Sequence, residues 1–135
     1  MEGLGPLVVN DAYASPAVQG RFRDDAYHSP RVVWGREVNL LFLGLAHQIE
    51  AAYDASGRLR DDSKAVRWYV EALRRTLETT RQAVDASGLR HNELWSYRID
   101  DGTLRPVRYG TSTDIQLWNV TDLAVRFLLD RLPPQ

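Results

Sequence analysis

The sequence predicts an all-α chain. Two long stretches carry apolar residues at helical spacing, a third lies near the C-terminal end, and glycine, proline and serine punctuate the segments between them. Alternation of period two is confined to one short segment before the last helix, which reads as a β-hairpin.

The leader, residues 1–31, reads as irregular. Gly3, Gly5, Pro6, Pro16, Gly20 and Pro30 interrupt it, and no helical period persists. A loop of that length is unusual in a self-contained domain, so the chain is expected to be part of something larger. The first helix is expected from Val33 or Trp34 to Tyr53, within 33–53. Val38, Leu41, Phe42, Leu45 and Ile49 recur along one face, and "LLFLGLA" is apolar nearly all round, so burial on most sides is expected. Gly44 costs this helix about 1 kcal/mol of propensity relative to alanine. A close helix–helix contact is the expected reason for it.

"DASGRLRDDS" is a turn and a cap, with Gly57 breaking and Asp62 or Ser63 accepting from the free N–H groups of the next helix. The second helix is expected over 64–86, Lys64 to Ala86, stopping before Gly88. Val66, Tyr69, Val70, Leu73, Leu77 and Val84 form its apolar stripe. The arginines off that stripe, Arg67, Arg74, Arg75 and Arg81, interleave with Glu71 and Glu78 and read as a solvated face. Trp95, Tyr97 and Ile99 then alternate with Ser96 and Arg98, and Asp101-Gly102 signals the hairpin turn. The third helix is expected over 114–132, capped by Ser112 or Thr113. Ile115, Trp118, Val125, Leu128 and Leu132 give its apolar face, and Pro133 ends it. Two long helices joined by a short turn make an αα-hairpin.

Composition narrows the function classes. The 135 residues are 44% hydrophobic and 26% charged, ordinary values for a globular chain. A net charge of -1 supplies no basic field to attract nucleic acid. There is no cysteine, which excludes disulfides and thiolate chemistry and fits a reducing, cytoplasmic setting. No apolar run approaches the roughly 18 residues that a membrane span needs. His28, His47 and His91 show no metal-ligand spacing, and no phosphate-cradling glycine pattern occurs, so no metal or cofactor is expected.

Carboxylates beside aromatics remain. "DDAYHSPRVVWGREVN" places Tyr27, His28, Trp34, Arg36 and Glu37 around the entry to the first helix. "LRHNELWSYRIDDGT" places Glu93 before Trp95 and Tyr97. Sugars suit this combination, since their C–H faces rest on aromatic rings while their hydroxyls take charged and amide partners. Glycoside cleavage further needs two carboxyls flanking the scissile bond.

"YHSPRVVWGREVNLLFLGLA", "SGLRHNELWSYRIDDGT" and "STDIQLWNVTDLAVRFLLDRL", in that order, resemble the C-terminal hairpins of an (α/α)6-barrel glycoside hydrolase, close to the glycogen-debranching and oligosaccharide-glucosidase-like enzymes. The matching motifs are Tyr27 to Trp34 opening an inner helix, Glu93 with Trp95 and Tyr97 in the following loop, and Gln116 with Trp118 opening the last helix. The resemblance implies an all-α toroid of αα-hairpins, incomplete in this chain, with residues 1–135 as the C-terminal portion of one barrel domain. It implies Glu93 as the general base of an inverting hydrolase. Tyr27, His28, Trp34, Arg36, Glu37, Trp95 and Tyr97 would then surround an oligosaccharide. The general acid would lie upstream, so the chain would be a fragment that completes itself with the rest of the barrel. Two alternatives stand beside this. One is a non-catalytic helical module that self-associates or binds a partner chain. The other is a phosphorylase relative in which Arg31, Arg36 and His28 serve phosphate.

Overall fold

A computed structural model describes residues 4–110, 112–117 and 121–133. Its elements, in chain order, are α1 (Pro16–Asp24), β1 (Val33–Trp34), α2 (Gly35–Ala51), α3 (Lys64–Ser87), β2 (Leu94–Asp100), β3 (Thr103–Arg108) and α4 (Thr121–Leu129). The strands form one antiparallel sheet in the order β1-β2-β3. The chain is mixed α/β, 47% helical and 14% strand, which corrects the all-α expectation and with it the toroid of helical hairpins.

The physical reason lies at Val33 and Trp34. Both are apolar and adjoin a helical pattern, so periodicity assigns them to the first helical turn. They are extended instead, as suits a β-branched residue and an aromatic. Val33 pairs with Trp95 and Trp34 with Leu94. The helix therefore starts at Gly35, with extended Trp34 as an N-cap that makes no side-chain cap bond. The hairpin expected before the last helix is present, and its two-residue turn at Asp101 and Gly102 has φ of 48° and 76°. Those left-handed values suit a type I′ connection between Asp100 and Thr103.

The αα-hairpin of α2 and α3 forms close to its expected bounds. Ser63 caps α3 by accepting from the Val66 N–H, and Gly88 ends it in the left-handed region. Val38, Phe42, Ala46 and Ile49 bury one face of α2. Leu40 and Gly44 face solvent, so the helix is not enclosed on most sides, and a methyl group at Gly44 would meet nothing within 4 Å. The expected close contact there is absent. The last helix is shorter than 114–132 because Ile115 and Leu117, read as part of the helical segment, are 77% and 84% exposed. Trp118 lies outside the described residues.

The leader also holds structure. Ser15 caps α1 and Pro16 occupies its first turn, where a missing N–H costs nothing. Before it, Leu4 is fully buried, the Val8 N–H donates to the Val32 carbonyl at 3.0 Å, and Leu7 bridges to Val33. Trp95, the largest fully buried side chain, donates its indole N–H to the Leu4 carbonyl at 3.3 Å. Around these gather Val33, Val38, Phe42, Ile49, Leu77 and Val84. The core is thus sheet against helix, closed by residues 4–8.

Two glycines have opposite requirements. Gly5 has φ of 92°, and an added Cβ would lie 2.5 Å from Val38 Cγ2. Gly5→Ala is expected to destabilise by about 1–3 kcal/mol through strain and overpacking. Gly44→Ala is expected to stabilise by about 0.5–1 kcal/mol through helix propensity. Urea unfolding of both variants checks the pair, and the same sign for both would refute it.

Candidate functional site

The register of β1 against β2 sets the site. One step beyond the Trp34–Leu94 pair, the Gly35 N–H donates to the Glu93 carbonyl at 2.9 Å. Glu93 therefore lies across from Gly35, flanked in space by Trp34 and Arg36. Alternation along the strands puts Val33 and Trp95 on the core face and turns Trp34 the other way. The result is a pocket of about 190 Å³ lined by Tyr27, Trp34, Arg36, Glu93 and Leu94.

Each wall is held separately. Glu93 is only 8% exposed. Its N–H donates to the Thr113 carbonyl at 3.1 Å, and its Oε2 accepts from the Thr113 hydroxyl at 3.3 Å. The Ser112 hydroxyl accepts from the Leu94 N–H at 3.1 Å and donates to the Thr113 carbonyl at 3.0 Å. Ser112 and Thr113, expected as helix caps, instead strap the chain after β3 beside Glu93. The Trp34 indole N–H donates to the Tyr27 carbonyl at 2.9 Å. The His28 ring lies 5.7 Å from Trp34, tilted by 49°. Asp25 orders this turn by accepting from the Tyr27 and His28 N–H groups at 2.7 and 2.9 Å. Those two bonds, with the His28 ring, hold the Asp25 carboxyl below its ordinary value.

Four of the eight sequence-selected residues line this pocket: Tyr27, Trp34, Arg36 and Glu93. His28 stands behind Trp34. Glu37 is occupied with the Arg36 Nε, at 3.2 Å. Trp95 cannot serve as a ligand platform, being 1% exposed within the core. Tyr97, two residues on and on the same strand face, packs against that core too. Leu94 and Thr113 were not among the selected residues. Leu94 was accessible through the strand phase, whereas the Thr113 contact spans 20 residues and carries no local signal.

The loop ahead of Glu93 sends its cations elsewhere. Arg90 Nε lies 2.8 Å and His91 Nδ1 3.6 Å from Asp122 Oδ2, at the start of α4. Arg126 Nε approaches the same oxygen at 3.8 Å. Asp122 is 3% exposed. The Arg90 N–H does not point along the short contact, so the pair acts through charge and not as an aligned hydrogen bond.

This cluster edges a second concavity of about 490 Å³ between α3 and α4, floored by Phe42 of α2. Along its α3 wall, Arg74, Glu78, Arg81 and Asp85 follow helical spacing as one stripe, which is the signal that a solvated-face reading overlooks. Arg81 donates to both Glu78 carboxylate oxygens, at 3.0 and 2.9 Å. Arg81 chiefly, with Gln82 assisting, holds the Glu78 carboxyl below its ordinary 4.5. Among the described residues no group of three or more histidines and carboxylates could hold a metal ion, and no helix is long and apolar enough to cross a membrane.

Asp122→Ala would leave Arg90 and Arg126 to share Asp85 alone. Both are partly exposed, so the cost falls below that of a fully buried pair, at about 1–3 kcal/mol in chemical unfolding. No loss of stability would refute the role given to Asp122. The depressed Glu78 value fixes a sign as well. Its stabilisation is fully present above pH 4.5 and is lost as pH falls through the folded-state value. The pair is nearly half exposed, so the effect is below about 1 kcal/mol. Glu78→Gln is expected to flatten the acid limb of a stability–pH curve, and an unchanged limb would exclude it. No protein-family model, curated protein or solved structure matches the chain.

Proposed function

We propose that the chain binds a single sugar-like polyol ring in the Glu93 pocket, as part of a carbohydrate-processing protein. One observation supports this above others: Tyr27, Trp34, Arg36 and Glu93, drawn from two distant stretches, share one small concavity. The indole and phenol rings offer faces for the C–H side of a sugar. The carboxylate and guanidinium offer charge-assisted bonds to its hydroxyls. At about 190 Å³ the pocket is smaller than the ~300–1,000 Å³ of drug-sized sites, so one ring or a chain end fits better than an oligosaccharide.

Glu93 is the group suited to acid or base work, because burial and the Thr113 hydroxyl fix one of its oxygens. Glycoside cleavage needs a second carboxyl on the far side of the bond. Among the described lining residues Glu93 is the one carboxylate, so turnover calls for an acid delivered from outside the pocket.

Titration with glucose, galactose and mannose, followed through the Trp34 indole N–H resonance, tests the reading. Binding in the millimolar range is expected. Glu93→Gln should weaken it about tenfold, or ~1.4 kcal/mol, with unchanged circular dichroism. An unmoved Trp34 resonance at saturating sugar would overturn the proposal.

A further inference from the structure

Glu93 is the one carboxylate among the described residues that line the small pocket, and it is 8% exposed. Its Oε2 accepts from the Thr113 hydroxyl at 3.3 Å. Its Oε1 has no hydrogen-bond partner among the described residues, yet it keeps contact with solvent. No described cation forms an ion pair with either oxygen. The nearby cations are committed elsewhere. Arg36 lines the same pocket, but its Nε donates to Glu37 at 3.2 Å and its side chain is 53% exposed. Arg90 and His91, the cations closest to Glu93 in the chain, face Asp122.

A carboxylate withdrawn from water is costly when neutral donors are all that it meets. A sugar hydroxyl at Oε1 displaces water and leaves the charge unbalanced. An ammonium group at the same place supplies a donor and a counter-charge together. The Trp34 and Tyr27 rings favour such a ligand twice. Their negative faces attract a cation, and they accept the C–H side of a ring.

On the basis that the pocket takes a sugar ring, we propose that it selects an amino sugar, a hexose with its ammonium on Glu93 Oε1 and its C–H face on Trp34. Arg36, offset by Glu37, is left for the hydroxyls. N-acetylation removes the charge and adds bulk to a cavity of only about 190 Å³. A uronic acid sets a second carboxylate against Glu93.

The test follows the Trp34 indole N–H resonance of the full chain with glucosamine, glucose, N-acetylglucosamine, glucuronate and ethanolamine, at a pH where the amines are charged. Glucosamine is expected to bind about tenfold more tightly than glucose, and the acetylated and anionic sugars more weakly than glucose. Glu93→Gln should remove the preference and bring glucosamine level with glucose. Equal wild-type affinities for glucosamine and glucose would overturn the proposal while leaving sugar binding intact. That comparison stands even if Glu93→Gln does not fold. A preference that survives in a folded Glu93→Gln would overturn the role of the carboxylate. Ethanolamine carries the ammonium without the ring, so affinity equal to that of glucosamine would overturn selection of a sugar. A resonance unmoved by every sugar would overturn sugar binding and this proposal together.

Discussion

The pairing of Val33 and Trp34 with Trp95 and Leu94 is the contact on which the rest of the structure depends. It is only two residues long, yet it joins the entry of α2 to the start of the hairpin. It fixes where α2 begins, which phase of β2 faces the core, and which residue stands across from Gly35. A slip of one residue would exchange the faces, bringing Trp95 outward and Trp34 inward. Leu7 and Val8 reinforce the pairing from the far edge, so the short strand is bonded on both sides.

Charge is organised around the same frame. The segment Arg90 to Glu93 divides its side chains between two destinations. Arg90 and His91 reach Asp122 on α4, while Glu93 turns to the aromatic pocket. Asp122 lies in the first turn of its helix, where the exposed N–H groups favour an anion. The two concavities differ in chemistry. One sets a buried carboxylate against aromatic rings, and the other rims an apolar floor with arginines and carboxylates in equal number.

The helical hairpin was legible in the sequence because 3.6-residue periodicity, Ser63 and Gly88 all agree on it. The β-hairpin was legible through alternation and the Asp101-Gly102 turn. What periodicity missed was non-local. Val33 and Trp34 satisfy a helix pattern and a strand pattern equally well, and only the distant partner strand decides between them. The helix at Pro16 was hidden because its face is largely exposed and its proline reads as a breaker away from a helix start. At the site, residue chemistry singled out Glu93, Trp34, Tyr27 and Arg36, but the same cue enrolled Trp95 and Tyr97. Strand alternation sends those two into the core, and aromatic character alone does not distinguish wall from core.

The bond from the Trp95 indole to the Leu4 carbonyl joins residues 91 apart. Closing such a contact incurs the entropy of a long loop before any burial compensates it. The α2–α3 hairpin rests on near neighbours and forms without that delay. Topology therefore separates the local helical contacts from the long-range closure of residues 4–8 over the indole. Those residues complete the burial of Trp95, so loosening them alone would re-expose an indole that the sheet and helices leave partly covered.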